Sequence, residues 1–229
     1  MSRAPHEALL AAPGASFARE PLRRGLGTLV YGSASSALVN YRPRAFMLYT
    51  TDAAEACRAL DAAAPCAMLT VNDRAVAAYA MERFGLDTFN DCYFVVYERS
   101  EPPAVSARLD IRPPDDAAMR LIRDNYDLAS DEELALVRAR GHLLCGYWQG
   151  ALAGFIGRHR DGSLGMLYVF PAFRRQGFAE ELEAEAVARC LAAGDTPYAD
   201  VFTYNAASLA LQRKLGFTVR EDMRSYWVY

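Results

Sequence analysis

Apolar and polar residues alternate along this chain in two recurring rhythms, one with a period of two and one with a period near 3.6. Phe46–Tyr49 is a short apolar run that predicts a buried strand, and the Ala-rich stretch from about Ala53 to Ala62 predicts a helix. Asp52 stands at the N-cap of that helix, where its carboxylate meets the first unpaired amides. Pro65 closes it, and Cys66–Val71 predicts a second strand. Asp73 to Arg83 predicts a second helix with Gly85 just past its end, where a left-handed cap suits glycine. The aromatic and β-branched stretch Asp91–Tyr97 predicts a third strand. Strand, helix, strand, helix, strand implies an α/β layer. The first 40 or so residues show weaker patterning: a short helix near Glu7, a strand around Thr28–Tyr31 and irregular stretches.

The polar, Pro-rich Ser100-Glu101-Pro102-Pro103 separates this half from the next, and it predicts an N-terminal unit over 1–104 and a C-terminal unit over 105–229. Ala107–Ile111 alternates apolar and charged residues as a half-buried strand does. Pro113-Pro114-Asp115-Asp116 opens a helix to about Tyr126, with Asp116 near its positive end. Ser130 and Glu133 form a capping box for a second helix to about Arg140. His142–Trp148 and Ala151–Arg158 predict two strands joined at Gln149-Gly150, and Asp161-Gly162 turns into a third, Leu164–Phe170. A helix follows from about Gly177 to Ala193, then a strand over Tyr198–Tyr204, a helix over Ala206–Leu215 stopped by Gly216, and one or two strands in Phe217–Tyr229.

Composition narrows the function classes. Hydrophobic residues make up 52% and charged residues 23% of the 229, an ordinary globular balance. A net charge of −3 without a run of Lys and Arg argues against a nucleic-acid partner. The five cysteines are widely spaced, no Cys-x-x-Cys pair occurs and only three histidines are present, so no metal site is expected. Free thiols point to a reducing, cytoplasmic setting, with Cys145 and Cys190 as core residues. No apolar run approaches the ~20 residues of a membrane span. Ala8–Ala18 is apolar, but Pro13 and Gly14 interrupt it, which speaks against a cleaved leader.

The chemistry concentrates in Leu167-Tyr168-Val169-Phe170-Pro171-Ala172-Phe173-Arg174-Arg175-Gln176-Gly177-Phe178-Ala179. A strand stops at a proline, a basic turn follows, and a glycine opens a long helix. Unpaired amides and the positive end of the helix dipole make an anion site there. Gly177 permits close backbone approach, Ala179 keeps the surface low, and Arg174 and Arg175 add positive charge. An ordinary strand–loop–helix connection with two solvated arginines fits this loop equally well. A second motif, Asn205-Ala206-Ala207-Ser208 followed by Lys214-Leu215-Gly216-Phe217, reads by itself as a capped amphipathic helix.

Together the two motifs resemble the GNAT acyltransferase superfamily. Its Arg/Gln-x-x-Gly-x-Gly/Ala motif is matched by Arg174, Gly177 and Ala179, and its Asn-x-x-Ser/Ala…Lys-Leu-Gly-Phe signature by Asn205, Ser208 and Lys214–Phe217. The resemblance implies an α/β fold of two units, the second with a mixed, mostly antiparallel central sheet flanked by helices. It implies acetyl-CoA or another short acyl-CoA as co-substrate and no metal. The backbone of Leu167, Tyr168 and Val169 would pair with the pantetheine arm and aim an amide at the thioester carbonyl. Amides of Arg174, Arg175, Gln176, Gly177, Phe178 and Ala179 would hold the pyrophosphate, and Asn205 and Ser208 would lie along the pantetheine or phosphate.

An amine would attack directly, without a covalent enzyme intermediate. Two helpers common in the superfamily are missing. Gln212 stands where a Tyr would protonate the departing thiolate, and Ser163-Leu164-Gly165-Met166 offers no Glu to deprotonate the amine. Tyr168, Tyr204 and His142 are substitutes that packing or capping explains better, so no catalytic residue is assigned. A silent acyl-CoA sensor is the alternative function. The layout, with the Asp110-Ile111-Arg112-Pro113 start, is also similar to glycine N-acyltransferases, whose N-terminal half is a degenerate relative of the catalytic half. That similarity implies a small amine or amino acid as acceptor, with a protein amine as the rival and homodimerisation open.

Overall fold

In the computed structural model, which describes residues 4–127 and 129–229 with the side chain of Glu221 left out, the chain clusters into two compact units. One comprises residues 1–96, 200–212 and 218–229; the other comprises 97–199 and 213–217.

The first unit opens with helices α1 (Pro5–Leu10) and α2 (Ser16–Arg23). Strands β1 (Thr28–Gly32), β2 (Ser36–Arg42) and β3 (Ala45–Thr50) follow as an antiparallel meander. Next come helix α3 (Ala53–Ala63), strand β4 (Met68–Val71), helix α4 (Arg74–Phe84) and strand β5 (Phe89–Val96). The caps are those the side chains dictate: Asp52 accepts from the Glu55 amide and Asp73 from the Val76 amide, each at 3.0 Å. Gly85 ends α4 at φ 68°.

Farther along the chain lie β10 (Tyr198–Phe202), α8 (Ala206–Leu215) and β11 (Thr218–Val228). The sheet order is β1-β2-β3-β4-β11-β5-β10, so the late strand β11 lies between β4 and β5 and is antiparallel to both. β3 and β4 pair in parallel, which makes the sheet mixed but mostly antiparallel. Leu38, Leu48, Leu69 and Val71 pack against Ala56, Leu60, Val76 and Ala80 of α3 and α4. Phe17 of α2 meets Tyr49 and Phe94, centroids 6.2 and 5.7 Å apart. The helix α2 and the strand β2 stand where the sequence suggested only irregular chain.

The second unit holds β6 (Asp110–Arg112), helices α5 (Asp116–Asn125) and α6 (Asp131–Ala139), and strands β7 (Leu143–Trp148), β8 (Ala151–Arg158) and β9 (Leu164–Val169). Helix α7 (Phe178–Ala192) follows. The four strands are antiparallel in the order β6-β7-β8-β9. Alternation sends Phe155 into a core with Met119, Ile122, Leu134 and Val137 of α5 and α6. Its neighbour Gly154 faces Leu182 of α7 on the other side. The predicted strand over Ala107–Ile111 is shorter than expected. The amides of Arg108 and Leu109 bond to the Glu181 carboxylate (2.7 and 3.0 Å) in place of a neighbouring strand. Among the described residues no helix is long and apolar enough to cross a membrane.

Candidate functional site

The strand that leads into the basic loop is irregular at one point. On β8, Phe155 faces Tyr168 and Gly157 faces Gly165, so Ile156 stands opposite both Met166 and Leu167. Two residues against one is a β-bulge. Met166 takes φ 55°, a left-handed conformation that costs a side-chain-bearing residue roughly 1–2 kcal/mol. Burial of its side chain in the α5/α6 core offsets that cost, since only 3% of Met166 is exposed. A bulge turns nearby amides and carbonyls out of the ladder. This bulge lies on β9, an edge strand of its sheet.

The bulge is held from the β8 side. A Cβ at Gly154 would fall 2.5 Å from the Tyr168 carbonyl oxygen, so glycine is what lets the strands approach here. Tyr168 turns its ring into an aromatic cluster, stacked on Phe155 at 5.6 Å and edge-on to Phe170 at 5.2 Å.

Beyond β9 a 3₁₀ turn (Pro171–Phe173) leads to the loop. Arg174 and Arg175 are exposed, and Arg174 donates Nε to the Val169 carbonyl at 3.0 Å. Arg175 and Gly177 both adopt left-handed backbone, φ 62° and 84°. Gly177 is the N-cap of α7, and no side chain caps the helix. The first amides of α7 therefore lack partners within the helix, and the dipole concentrates positive potential on them. Phe178 buries its ring between Trp148 and Phe173, leaving its amide at the helix start, and Ala179 adds one methyl. Arg108 braces the turn: it donates to the Gln176 carbonyl, lies over the Phe178 ring at 4.9 Å and pairs with Glu181. No sequence pattern pointed to Arg108 or to the bulge.

Leu167 to Ala179 thus form one continuous strand–turn–helix surface of the second unit. Asn205 and Ser208 belong to the first unit. There Asn205 caps α8 by accepting from the Ser208 amide at 3.0 Å. At the far end of α8, Gly216 takes φ 92°, and Lys214 reaches Glu180 at 2.6 Å.

The residues at the missing-helper positions have structural partners or are buried. Ser163 bonds through amide and hydroxyl to Asp161, and Tyr198 donates to the Asp161 carbonyl. Gln212 is 3% exposed. Tyr204 is exposed and stacked on Phe202. Cys145 and Cys190 are fully buried, and burial pushes the Cys145 thiol up to about 12. Among the described residues, no cluster of three His, Cys, Asp or Glu is placed to hold a metal ion.

Known proteins resemble this chain in fold. Residues 144–228 match the family model described as FR47-like protein. No curated protein sequence matches the chain. Solved structures similar to it include a Drosophila protein (TM-score 0.64, 17% identity, 97% of this chain and 89% of that one). A GCN5-related N-acetyltransferase-like protein from Streptococcus suis matches with TM-score 0.59 and 15% identity, over 97% and 96% of the two chains. A GCN5-related N-acetyltransferase from Kribbella flavida gives 0.57 and 12%, over 94% and 92%. Residues 144–228 are thus similar to FR47-like protein, and the fold of the chain is similar to that of GCN5-related N-acetyltransferases of known structure.

Proposed function

We propose that the second unit binds acetyl-CoA or another short acyl-CoA along β9 and the start of α7, and that the protein transfers the acyl group to a primary amine. The observation that carries this reading is the Met166–Leu167 bulge on an outer strand that runs directly into an uncapped, glycine-started helix. An extended pantetheine arm suits the outer edge of Leu167–Val169, because its two amides can add to the sheet as a strand would. The diphosphate suits the amides of Gly177, Phe178 and Ala179, with Arg174 and Arg175 close by. An amide freed by the bulge would donate to the thioester carbonyl and stabilise the oxyanion that forms when an amine attacks, typically the largest catalytic contribution.

The proposed acceptor is a small amine or amino acid, with a protein amine as the rival. Ser163 and Gln212, neither of them an acid or base, favour one competing reading, an acyl-CoA sensor that does not turn over. Calorimetric titration with acetyl-CoA, followed by thiol release against a panel of amines and amino acids, tests both. Binding with amine-dependent thiol release supports the transferase. Binding without release for any amine supports the sensor, and absence of binding removes both.

A further inference from the structure

The turn between β8 and β9 sets an imidazole against the bulge. The His159 amide donates to the Ser163 carbonyl and the His159 carbonyl accepts from the Gly162 amide, both at 2.9 Å, so the backbone of this residue is fixed. Its ring lies over Gly165: a Cβ there would fall 2.6 Å from Cδ2 and closer still to Nε2. Gly165 is the residue immediately before Met166, and it lies in the stretch Ser163–Met166, which carries no Glu. On the other side of the ring, Nδ1 is 2.9 Å from a carboxylate oxygen of Glu133 on α6. Ring and carboxylate are each partly exposed, at 28% and 32% of their side chains. Both residues, the bulge and the α7 start belong to the second unit.

We infer that His159 is the general base of the proposed acyl transfer and that Glu133 orients it. With Nδ1–H donated to the carboxylate, Nε2 becomes the basic nitrogen, and the negative partner favours the imidazolium that forms on proton uptake. Of the ring atoms, Nε2 comes nearest to a Cβ built at Gly165, the strand position that precedes the bulge. In the step, the amine nitrogen bonds to the acyl carbon while Nε2 takes a proton from that nitrogen. The carbonyl oxygen carries the negative charge until the C–S bond breaks. CoA leaves as thiolate and takes a proton from water, and His159 returns its proton to solvent. The products are an amide and the CoA thiol.

This inference rests on the proposed function, and the experiment separates the two. Around the pair lie Tyr126 just after α5, Arg160 beside Glu132 at 3.9 Å, and Asp161 in the turn. The Tyr126 hydroxyl, pushed up to about 12 by burial first and then by Glu133 and Asp127, stays protonated through the neutral range. Acetyl-CoA turnover is measured with the amine panel and also with water alone as the nucleophile, in wild type, His159→Gln and Glu133→Gln. His159→Gln should lower kcat/KM about 100-fold, within the range of general-base effects, with the acetyl-CoA Kd unchanged. Wild type should lose kcat toward acid pH, and that fall should disappear in the variant. Glu133→Gln should keep the fall but displace it and lower kcat less. The His159 imidazole resonance, assigned by its loss in His159→Gln, should shift when acetyl-CoA is added. Turnover in wild type that survives His159→Gln with the same pH profile overturns the base and leaves the transferase standing. Acetyl-CoA binding without turnover in wild type overturns both.

Discussion

Arg108 and Glu181 hold the start of the second unit to the first turn of α7. Arg108 donates Nε to Glu181 at 2.8 Å, and the carboxylate also accepts the amides of Arg108 and Leu109 at 2.7 and 3.0 Å. Glu181 is 3% exposed, and the same guanidinium reaches the Gln176 carbonyl inside the proposed phosphate turn. One carboxylate therefore ends the linker and stiffens the loop. Glu181→Ala would leave two amides and a cation without their acceptor, and should cost about 3 kcal/mol. Urea unfolding of the two proteins measures it, and acetyl-CoA affinity should fall with stability because Gln176 loses its brace.

Gly177→Val should cut acetyl-CoA affinity more than tenfold. The residue sits at φ 84°, and a Cβ would come 3.2 Å from the Arg108 guanidinium. Strain of roughly 1–3 kcal/mol follows from the backbone alone. Calorimetric titration beside a thermal melt separates the two effects, and affinity unchanged in a folded variant would show that phosphates do not dock at this helix start.

Gly154→Val should act on the bulge from the neighbouring strand. Its side chain would collide with the Tyr168 carbonyl and with Leu182, forcing β8 and β9 apart. Overpacking of this kind typically costs about 1–3 kcal/mol. The urea midpoint should fall, and hydrogen exchange at the Val169 and Phe170 amides should speed up. Phe170 is a direct reporter, because its amide bonds to the Ala153 carbonyl at 2.9 Å.

Alkaline pH should destabilise the fold through its buried thiols. Burial raises Cys66 from 9.0 to about 11 and Cys145 to about 12, and it raises Cys92 as well, with Asp200 and Asp91 adding to the shift. An unfolded thiol gives up its proton near 9, whereas the folded one keeps it. Their contribution is thus fully present below pH 9 and is lost as pH rises toward 11 and 12. The urea midpoint should drop between pH 8 and pH 10.5, and Cys145→Val should flatten that drop. At pH 8 a thiol reagent should label Cys57, whose burial is partial, well before the other four.

Much of the helical framework was legible because short polar side chains announce their roles locally. Asp52 and Ser130 cap as their spacing implied, and Gly85 and Gly216 take the left-handed turns that end helices. α2 escaped because Pro21 lies within it and half of its residues are polar, and β2 because it begins in a serine cluster. The bulge escaped for another reason. Which residue is extra depends on two strands at once, and a methionine at φ 55° carries no local signature. One signal went unread: Gly165 inside an otherwise apolar strand marks a close approach, and the His159 ring is what approaches. Glu133 was legible as half of a capping box, yet its carboxylate pairs with that ring.

The placement of β11 between β4 and β5 sets a timetable for synthesis. While a ribosome adds about 5–20 residues each second, β4 and β5 emerge long before the strand that joins them. Until Thr218–Val228 arrives, the edges of Val71 and Val95 stay unmatched and open to any other extended chain. Nascent chains stalled after Gly216 should therefore depend on chaperones in a way that chains extended past Val228 do not.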